Sequence, residues 1–483
     1  MQRVWTLALA GIFALGLVGA ARAVEVQFSG DWDFAFGWAD NADFADHDGE
    51  DDFMARQRFR TQAVFAVSED LRGVLMFEIG TLEWGRDSSG NNNVGRGAGG
   101  SIDTDGVNVE TKLAYVDWAV PSTDVSVRMG LQHLVLPDAV GRGNPVLNSD
   151  VAALAVTFPF SGRVGLTAVW ARPFDAGSED GDDRNLADEM DLFALILPVT
   201  GDGWTFTPWG AYARLGAASG FFDYVAGLSG ANSAFFEDIS FSGGDASNVW
   251  WGGLAFGLTA LDPFSLGLNV IYGHADGTDI TISGRNSQGN AFSEDVDFRT
   301  AGWLLAATLD YKLDWGSVGL FGWYSTGDDA GDAQDGEYGR LPAIGFDNGF
   351  APTSMGGPGS YSIGTDTVFS ATFLGTWGIG VQLADWSFVE DLSHTLRLTY
   401  YRGTNEHEVV EDDHALAFSG EAVYLTDKDQ AFEINFNHLY KIYDNLNLIL
   451  EMSYIHLDQD EDIWGDDEDA DAWKAQMLLN YSF

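Results

Sequence analysis

The segment that decides the fold is residues 472–483 at the C-terminus, AWKAQMLLNYSF. Residues on one side of it are all apolar: Trp473, Ala475, Met477, Leu479, Tyr481 and Phe483. The other side is mostly polar: Lys474, Gln476, Leu478, Asn480 and Ser482. Alternation with period two indicates a β-strand with one apolar and one wet face. Since the chain stops there on an aromatic residue, the pattern favours the closing strand of a transmembrane β-barrel, with an amphipathic terminal strand of a soluble sandwich as the alternative.

The same alternation recurs along the chain. The first such segment places its apolar residues on one face: Val26, Phe28, Trp32, Phe34, Phe36 and Trp38. Glu25, Gln27, Asp31 and Asp33 lie on the other face. Helical spacing of apolar residues is not sustained beyond the N-terminal 23 residues. The sequence therefore predicts an all-β protein.

The connections between these segments are alternately short and long. Short turns are predicted near residues 68–70, 121–123, 161–162, 200–203, 262–263, 313–315, 390–392 and 441–445. Long polar or Gly-rich loops are predicted at 39–52, 84–106, 136–150, 175–188, 216–247, 275–295, 326–365, 404–417 and 458–471. Short turns at one end and long loops at the other are typical of outer-membrane barrels. Joining these segments predicts a transmembrane antiparallel β-barrel of about 18 strands, with 14 or 16 as alternatives.

The N-terminus predicts export. A charged start, Met1-Gln2-Arg3, precedes the apolar run VWTLALAGIFALGLVG at 4–19, and Ala21-Arg22-Ala23 supplies a cleavage site. Residues 1–23 therefore form a predicted signal peptide, and 24–483 a single β-barrel domain. The exported chain has no cysteine, so disulfides cannot stabilise it.

Composition limits the possible partners. Apolar residues make up 46% of the chain, yet the mean hydropathy is only −0.06, as alternation requires. The net charge of −49 argues against a nucleic-acid partner, whereas acidic loops outside a membrane are solvated and can hold divalent cations loosely.

Asp458, Asp460 and Asp462 have the spacing of a calcium loop, but the sixth position is Ile463 instead of glycine. We predict no dedicated metal site.

Motifs of enzymes are missing from the sequence. It contains no Gly-x-Ser-x-Gly elbow, no P-loop, no dinucleotide fingerprint after a strand and no His-Glu-x-x-His. His407 and His414 lie among glutamates, but their spacing in an irregular loop is not specific for a transition metal. The sequence therefore predicts no catalytic residue and no cofactor.

One cluster of basic residues is predicted to line the interior. In ARQRFRTQ, residues 55–62, Arg56, Arg58, Arg60 and Gln62 share one strand face. Facing lipid, an arginine would cost ~2–4 kcal/mol at the membrane midplane, so the inward register is expected. Three stacked like charges repel unless acidic groups lie opposite, which favours a functional role. The alternative is a ladder near the strand end that lines nothing narrow.

A second segment, residues 128–145, runs from a predicted fifth strand into a moderately apolar loop. It is similar to the segment in trimeric porins where the third loop folds into the barrel. The whole chain resembles the outer-membrane homotrimeric porins of sulfate-reducing bacteria. That resemblance is carried by Ala21-Arg22-Ala23, the arginines of 56–60, Leu136-Pro137, GIGVQLADWSFVED at 378–391 and the terminal Phe483.

The resemblance implies a water-filled channel in the outer membrane that passes small hydrophilic solutes and ions passively. It implies a homotrimer with its interface near Trp32, Phe34 and Phe36 or Trp473, in contact with lipid and lipopolysaccharide. The resemblance also implies that Arg128 lines the pore and that Phe483 is the assembly signal. It implies a constriction loop that contains Pro137, Asp138, Arg142 and Asp150. The carboxylates of this loop are expected to face the arginines. A channel specific for small anions such as sulfate or organic acids, and a non-conducting surface or adhesin barrel, remain as alternatives.

Overall fold

The computed structural model describes residues 24–41, 52–85, 109–141, 143–175, 189–216, 237–242, 246–285, 291–333, 336–344, 352–355, 374–411, 424–464 and 470–483. Within them no helix is long and apolar enough to cross a membrane. The three helices are single turns: α1 (Ala330–Ala333), α2 (Glu408–Glu411) and α3 (Glu461–Trp464).

All other regular structure in these ranges is β. The strands are β1 (Glu25–Asp40), β2 (Asp52–Ser68), β3 (Leu71–Glu83), β4 (Val109–Ala119), β5 (Ser126–Val135), β6 (Asn148–Pro159), β7 (Gly165–Asp175), β8 (Glu189–Ile196), β9 (Val199–Gly201), β10 (Trp204–Leu215), β11 (Glu237–Ser242), β12 (Ser247–Leu258), β13 (Phe264–Arg285), β14 (Ala291–Leu313), β15 (Gly316–Ser325), β16 (Glu337–Tyr338), β17 (Thr376–Val389), β18 (Leu392–Gly403), β19 (Gln430–Tyr443), β20 (Leu446–Asp458) and β21 (Ala470–Ser482).

Eighteen of these strands form one closed antiparallel barrel. The short strands β9, β11 and β16 only extend it at its ends. The barrel closes where β1 pairs with β21, from Asp31 opposite Ser482 to Asp40 opposite Trp473. Gly30 and Phe483 also exchange two backbone hydrogen bonds of 3.0 Å. The predicted fold class and 18-strand count are confirmed, and the alternatives of 14 and 16 strands are wrong.

The connections divide the barrel into two ends. At one end, which we name the turn end, neighbouring strands are joined by tight connections such as Glu69-Asp70, Asp314-Trp315 and Glu390-Asp391. The opposite end, the loop end, carries the long connections. Strand residues that point outward are mostly aromatic or aliphatic and exposed, as Trp32, Trp250 and Trp303 illustrate. An apolar outer band of this kind is what a lipid environment requires.

The interior divides into two halves. The inward residues of β5–β15 are mostly apolar and buried, and we name this surface the apolar wall: Val151, Ala153, Val169, Ala171, Leu192, Ala194, Trp209, Ala211, Ala213, Val249, Trp251, Ile271, Leu304, Ala306, Phe321 and Trp323. The inward residues of β17–β21 and β1–β4 form the polar wall: Asp33, Glu78, Arg397, Glu433, Asn435, Asn437, Glu451, Ser453, Lys474 and Gln476. Alternation indicated a wet face opposite the apolar one, whereas on the apolar wall the inward face is apolar as well.

Parts of two long loops cover the apolar wall. Residues 136–147, which join β5 to β6, bury Leu136, Val146 and Leu147 against it. Residues 341–344 lie beside them, where the Ile344 N–H donates to the Val146 carbonyl at 2.9 Å. The Trp251 indole N–H donates to the Pro342 carbonyl at 2.7 Å. The third long loop therefore does fold into the barrel, and apolar packing holds it there.

Candidate functional site

The arginine ladder of β2 points into the barrel. Arg58 lies opposite Asp33 of β1, and Arg60 lies opposite Asp31. Because Asp33 is buried in the interior, the paired arginines share that inward face. Phe59, on the alternate face, packs its ring on Trp32 at 5.4 Å. The register is the one expected from the cost of placing arginine against lipid.

Each ladder arginine has an acidic partner on a neighbouring strand. Arg60 Nε lies 2.6 Å from Glu78 Oε2. Arg58 Nη2 lies 3.6 Å from Asp33 Oδ2, and Arg56 Nε lies 3.4 Å from Glu83 Oε2. The sequence argument from mutual repulsion of the arginines is therefore weakened, since acidic groups do lie beside them. The arginine side chains remain 12–26% exposed, so they still meet solvent within the barrel.

Gln62 and Arg128 also lie on the inward face. Gln62 pairs with Ser29 and with Met76, one step further along β2 towards the turn end. Arg128, on β5, binds Asp117 through Nε at 2.6 Å and Nη2 at 2.9 Å.

Arg72 completes this second cluster of charges. It binds the same Asp117 carboxylate at 2.9 Å, and the Arg128 guanidinium stacks over the Tyr115 ring at 4.4 Å. Two arginines on one carboxylate leave a net positive charge. Asp117 is thereby held between two guanidinium groups, and neither guanidinium uses all five of its donors in these bonds.

A cavity of about 600 Å³ opens beside this cluster. It extends from Glu69 and Asp70 at the turn end to Leu134 and Val135 below the inserted loop. We name it the vestibule. Thr157 and Thr167 line one side of it and the Arg72–Asp117–Arg128 cluster another. Its lining mixes these charged and hydroxyl groups with apolar side chains, and the polar groups can bind water and small hydrophilic solutes.

The constriction residues do not lie as expected. Asp138 accepts hydrogen bonds from Asn269 Nδ2 on β13 and from the Val140 and Gly143 N–H groups at 2.9 and 3.0 Å. The carboxylate thus docks the loop on the apolar wall, and it does not face the arginines. Asn144 Nδ2 donates to the Pro137 carbonyl at 2.9 Å, which closes the turn of the loop.

Asp150 also lies elsewhere than predicted. It lies within β6 and pairs with His133, on the face opposite to buried Val151, so its side chain points outward. Arg142 lies outside the described residues. The proposed field between these carboxylates and the ladder therefore has no support from Asp138 or Asp150.

Sequence reasoning missed a third element, a clamp on the polar wall. The Glu433 carboxylate accepts the Ser354 and Met355 N–H groups at 2.8 and 2.9 Å. Lys474 Nζ donates to the Ser354 carbonyl at 2.6 Å and lies 3.5 Å from Glu451 Oε1. These side chains are almost fully buried. Their inward position in β19–β21 was readable from alternation, but the segment that covers them, 352–355, was not.

At the loop end, buried carboxylates tie three loops together. Asp328 binds Arg340 at 2.9 Å and accepts from the Tyr424 hydroxyl at 3.2 Å. Asp429 accepts from the Asp460 N–H and from the Trp464 indole N–H, each at 3.0 Å. Burial raises the pKa of Asp429, although these hydrogen bonds act in the opposite direction.

The same loop assembly contains a histidine, His407, that is paired with carboxylates. Its Nδ1 lies 3.0 Å from Asp427 and 3.1 Å from Glu408. The hydrogen bond to Asp427 raises the pKa of His407. Among the described residues, no group of three or more His, Asp or Glu is arranged to hold a metal ion.

A closed barrel of 18 antiparallel strands, with an apolar outer band and an inserted loop, has the fold of the outer-membrane porins. OccAB1, OccAB4 and OpdL are among the solved structures that are similar to the chain, each at 13% identity. OccAB1 of Acinetobacter baumannii has a TM-score of 0.52 and covers 96% of this chain and 99% of its own. OccAB4 of the same organism has a TM-score of 0.50, covering 96% and 100%. OpdL of Pseudomonas aeruginosa has a TM-score of 0.50, covering 95% and 99%.

At this level of identity the likeness concerns the fold. No family model and no curated protein matches the chain. The narrower resemblance to porins of sulfate-reducing bacteria gains no support from these structures.

Proposed function

We propose that the protein is an outer-membrane porin that lets small hydrophilic solutes and ions diffuse passively, and that it is not an enzyme. The observation that carries the proposal is the charged, partly solvated ladder inside a closed barrel, with a polar vestibule below it. The proposal includes cleavage of a signal peptide at 1–23, a single mature domain at 24–483, and contact of the outer band with lipid and lipopolysaccharide. Planar-bilayer recordings test it: stepwise conductance supports a channel, and none at any voltage contradicts it.

Near charge balance among the inward residues of β1–β5 supports a channel of weak ion selectivity. The inward cations are Arg56, Arg58, Arg60, Arg72, Arg128 and Lys112, and the carboxylates beside them are Asp31, Asp33, Glu78, Glu83 and Asp117. Acidic loops at the outer mouth are screened beyond about 8 Å at physiological salt, so they act mainly when salt is low. Selectivity should shift towards cations as salt is lowered. A channel specific for small anions would instead keep anion preference at all salt concentrations.

A homotrimer is part of the proposal. Trp32 and Trp473 are 39% and 40% exposed on the outer surface at the barrel closure, where they offer apolar area to a neighbouring copy. Mass measurement in mild detergent tests this, and a monomer that retains conductance would contradict it. Phe483 closes the barrel through Gly30 and stacks on Phe59 at 5.9 Å, which supports a role in assembly.

The inserted segments favour a second candidate, a non-conducting surface barrel. Residues 136–147, 341–344 and 352–355 all pack inside the wall, and each narrows the lumen. Liposome swelling with a series of sugars separates the candidates. A plugged barrel gives no swelling, a general porin gives a smooth size cutoff, and a specific channel gives one saturable outlier.

A further inference from the structure

The barrel wall splits between β4 and β5. Their pairing runs only from Ala119 opposite Ser126 to Ala114 opposite Leu131. Beyond that point β4 continues to Val109 paired with β3, and β5 continues to Val135 paired with β6. The two neighbouring strand edges are therefore not paired with each other beyond this point. We name the gap between them the seam.

The seam lies within the membrane-spanning height of the wall. Leu131 is the fifth residue after Ser126, which corresponds to about 13 Å along the barrel axis for strands tilted by ~40°. The apolar band of such barrels is about 25 Å tall. The exposed apolar side chains of Met129 and Val135, on either side of Leu131, place the start of the split within this band. Unpaired strand edges at this depth are rare, because lipid offers no hydrogen bonds. A gap at this depth therefore calls for a functional explanation.

Lys112 bridges the seam. It is the residue of β4 that is skipped where the β3–β4 register shifts between Met76 and Phe77. Its Nζ lies 3.0 Å from Asp150 Oδ2 and 3.8 Å from Glu78 Oε2. Glu78 faces the lumen, where it binds Arg60, whereas Asp150 points outward beside His133 at 3.1 Å. One ammonium thus joins the inner and outer faces of the wall through the gap.

The surroundings of the seam suit an amphiphile. On the outer side, Val109, Met129 and Val135 are exposed apolar side chains. On the inner side, the vestibule is lined along the seam by Gln132 and Leu134 and contains the net positive Arg72–Asp117–Arg128 cluster. An apolar chain matches the outer side and an anionic head the inner one, with Lys112 as the first cation that the head meets.

We propose that the seam is a lateral port between the membrane and the vestibule for single-chain amphiphiles with an anionic head. The Lys112 bridge between Glu78 and Asp150 keeps it closed, and a competing anionic head opens it. This activity is separate from passive diffusion along the barrel axis, and its test does not depend on conductance.

Cysteine labelling tests the port, since the chain has no native cysteine. Gln132→Cys places a thiol in the vestibule beside the seam, and Thr308→Cys places one outside the vestibule, on β14, where that strand is paired with both of its neighbours. Both variants are reconstituted in liposomes and treated with N-dodecylmaleimide, which dissolves in the bilayer. Each cysteine variant is combined with a second substitution that breaks the bridge. This substitution is Lys112→Met or, as an isosteric alternative, Asp150→Asn. Lys312→Met, an exposed lysine away from the seam, is the matched control.

Opening the bridge should raise the labelling rate of Gln132→Cys at least tenfold and leave Thr308→Cys unchanged. Dodecanoate should slow this labelling, and the uncharged dodecanol should not. An equal rise at both thiols would indicate general loosening, and no rise in either bridge variant would indicate a closed wall; each result overturns the port. Labelling that appears only after the oligomer dissociates would identify the seam as a contact between copies and would overturn it as well.

Discussion

The apolar and polar walls are built from the same alternating strands, yet they hold their inserted segments in opposite ways. On the apolar wall, Leu136 and Val146 are buried by side-chain packing, as in the core of a soluble protein. On the polar wall, Glu433 and Lys474 grip the backbone of Ser354 by charge-assisted hydrogen bonds. The difference shows that inward-facing residues in a barrel do not have to be polar. Their polarity has to match that of the medium that covers them, which is either water or the chain's own loops.

The largest expected effect is on the polar wall. Lys474→Met removes the cation next to buried Glu451 and the donor to Ser354. Breaking a buried pair by removing one partner costs about 3–5 kcal/mol, so the free energy of unfolding should fall by that amount. Urea unfolding in detergent measures it. Lys312→Met, which changes an exposed lysine, should leave stability within about 0.5 kcal/mol. Equal losses in both variants would contradict a special role for the clamp.

On the apolar wall, Leu136→Ala should lower the free energy of unfolding by about 2–5 kcal/mol, because Leu136 is only 1% exposed and its removal leaves a cavity. The loop 136–147 should also pack less tightly, which raises single-channel conductance if the lumen conducts. Leu261→Ala, at a residue 61% exposed in a turn, is the control and should change neither quantity. Unaltered stability in Leu136→Ala would mean that the loop is not held by this packing.

Replacement of Arg56, Arg58 and Arg60 together by alanine should shift ion selectivity towards cations. On β1–β5, six inward cations lie beside five carboxylates in the native chain, and the change leaves three cations beside the same five. Close charges within low-dielectric walls act more strongly than screened loops. Reversal potentials under a salt gradient measure the shift. An unmoved potential would show that the ladder does not line the conducting path.

The smallest expected effect concerns the loop end. The pKa of His407 is raised by its bond to Asp427, so the ion pair stabilises the loop below the ordinary pKa of histidine and is lost as pH rises through the raised value. Limited proteolysis of this loop should therefore speed up between pH 6 and pH 9, by a factor on the order of two for an exposed pair. His407→Ala should remove the pH dependence. A pH response that persists in this variant would assign it to another group.

Much of the fold followed from the sequence because strand alternation is local. Trp32, Phe34 and Phe36 faced outward as the period of two required, and the arginines of β2 faced inward because lipid rejects them. The partners of those arginines were not predictable. Glu78 and Glu83 lie on another strand, and which carboxylate meets which arginine depends on the register of β2 against β3, including its bulges.

Local pattern also misplaced residues near element boundaries. Asp150 reads as part of a polar loop, yet β6 begins at Asn148, and this shift of a few residues turns its side chain outward. Asp138 was expected to face the arginines, whereas Asn269, distant in sequence by 131 residues, binds it on the apolar wall. No local pattern encodes such a contact.

The sequence by itself determined that the chain is a barrel of about 18 strands with an apolar exterior, since that depends on alternation, turns and loop lengths. Only the tertiary structure decided that half of the interior is a packed apolar surface, that Glu433 and Lys474 hold a distant segment, and that Lys112 bridges a seam in the wall. The physical reason is that alternation tells which residues share a face, whereas the chemistry of a face depends on what the rest of the chain brings against it.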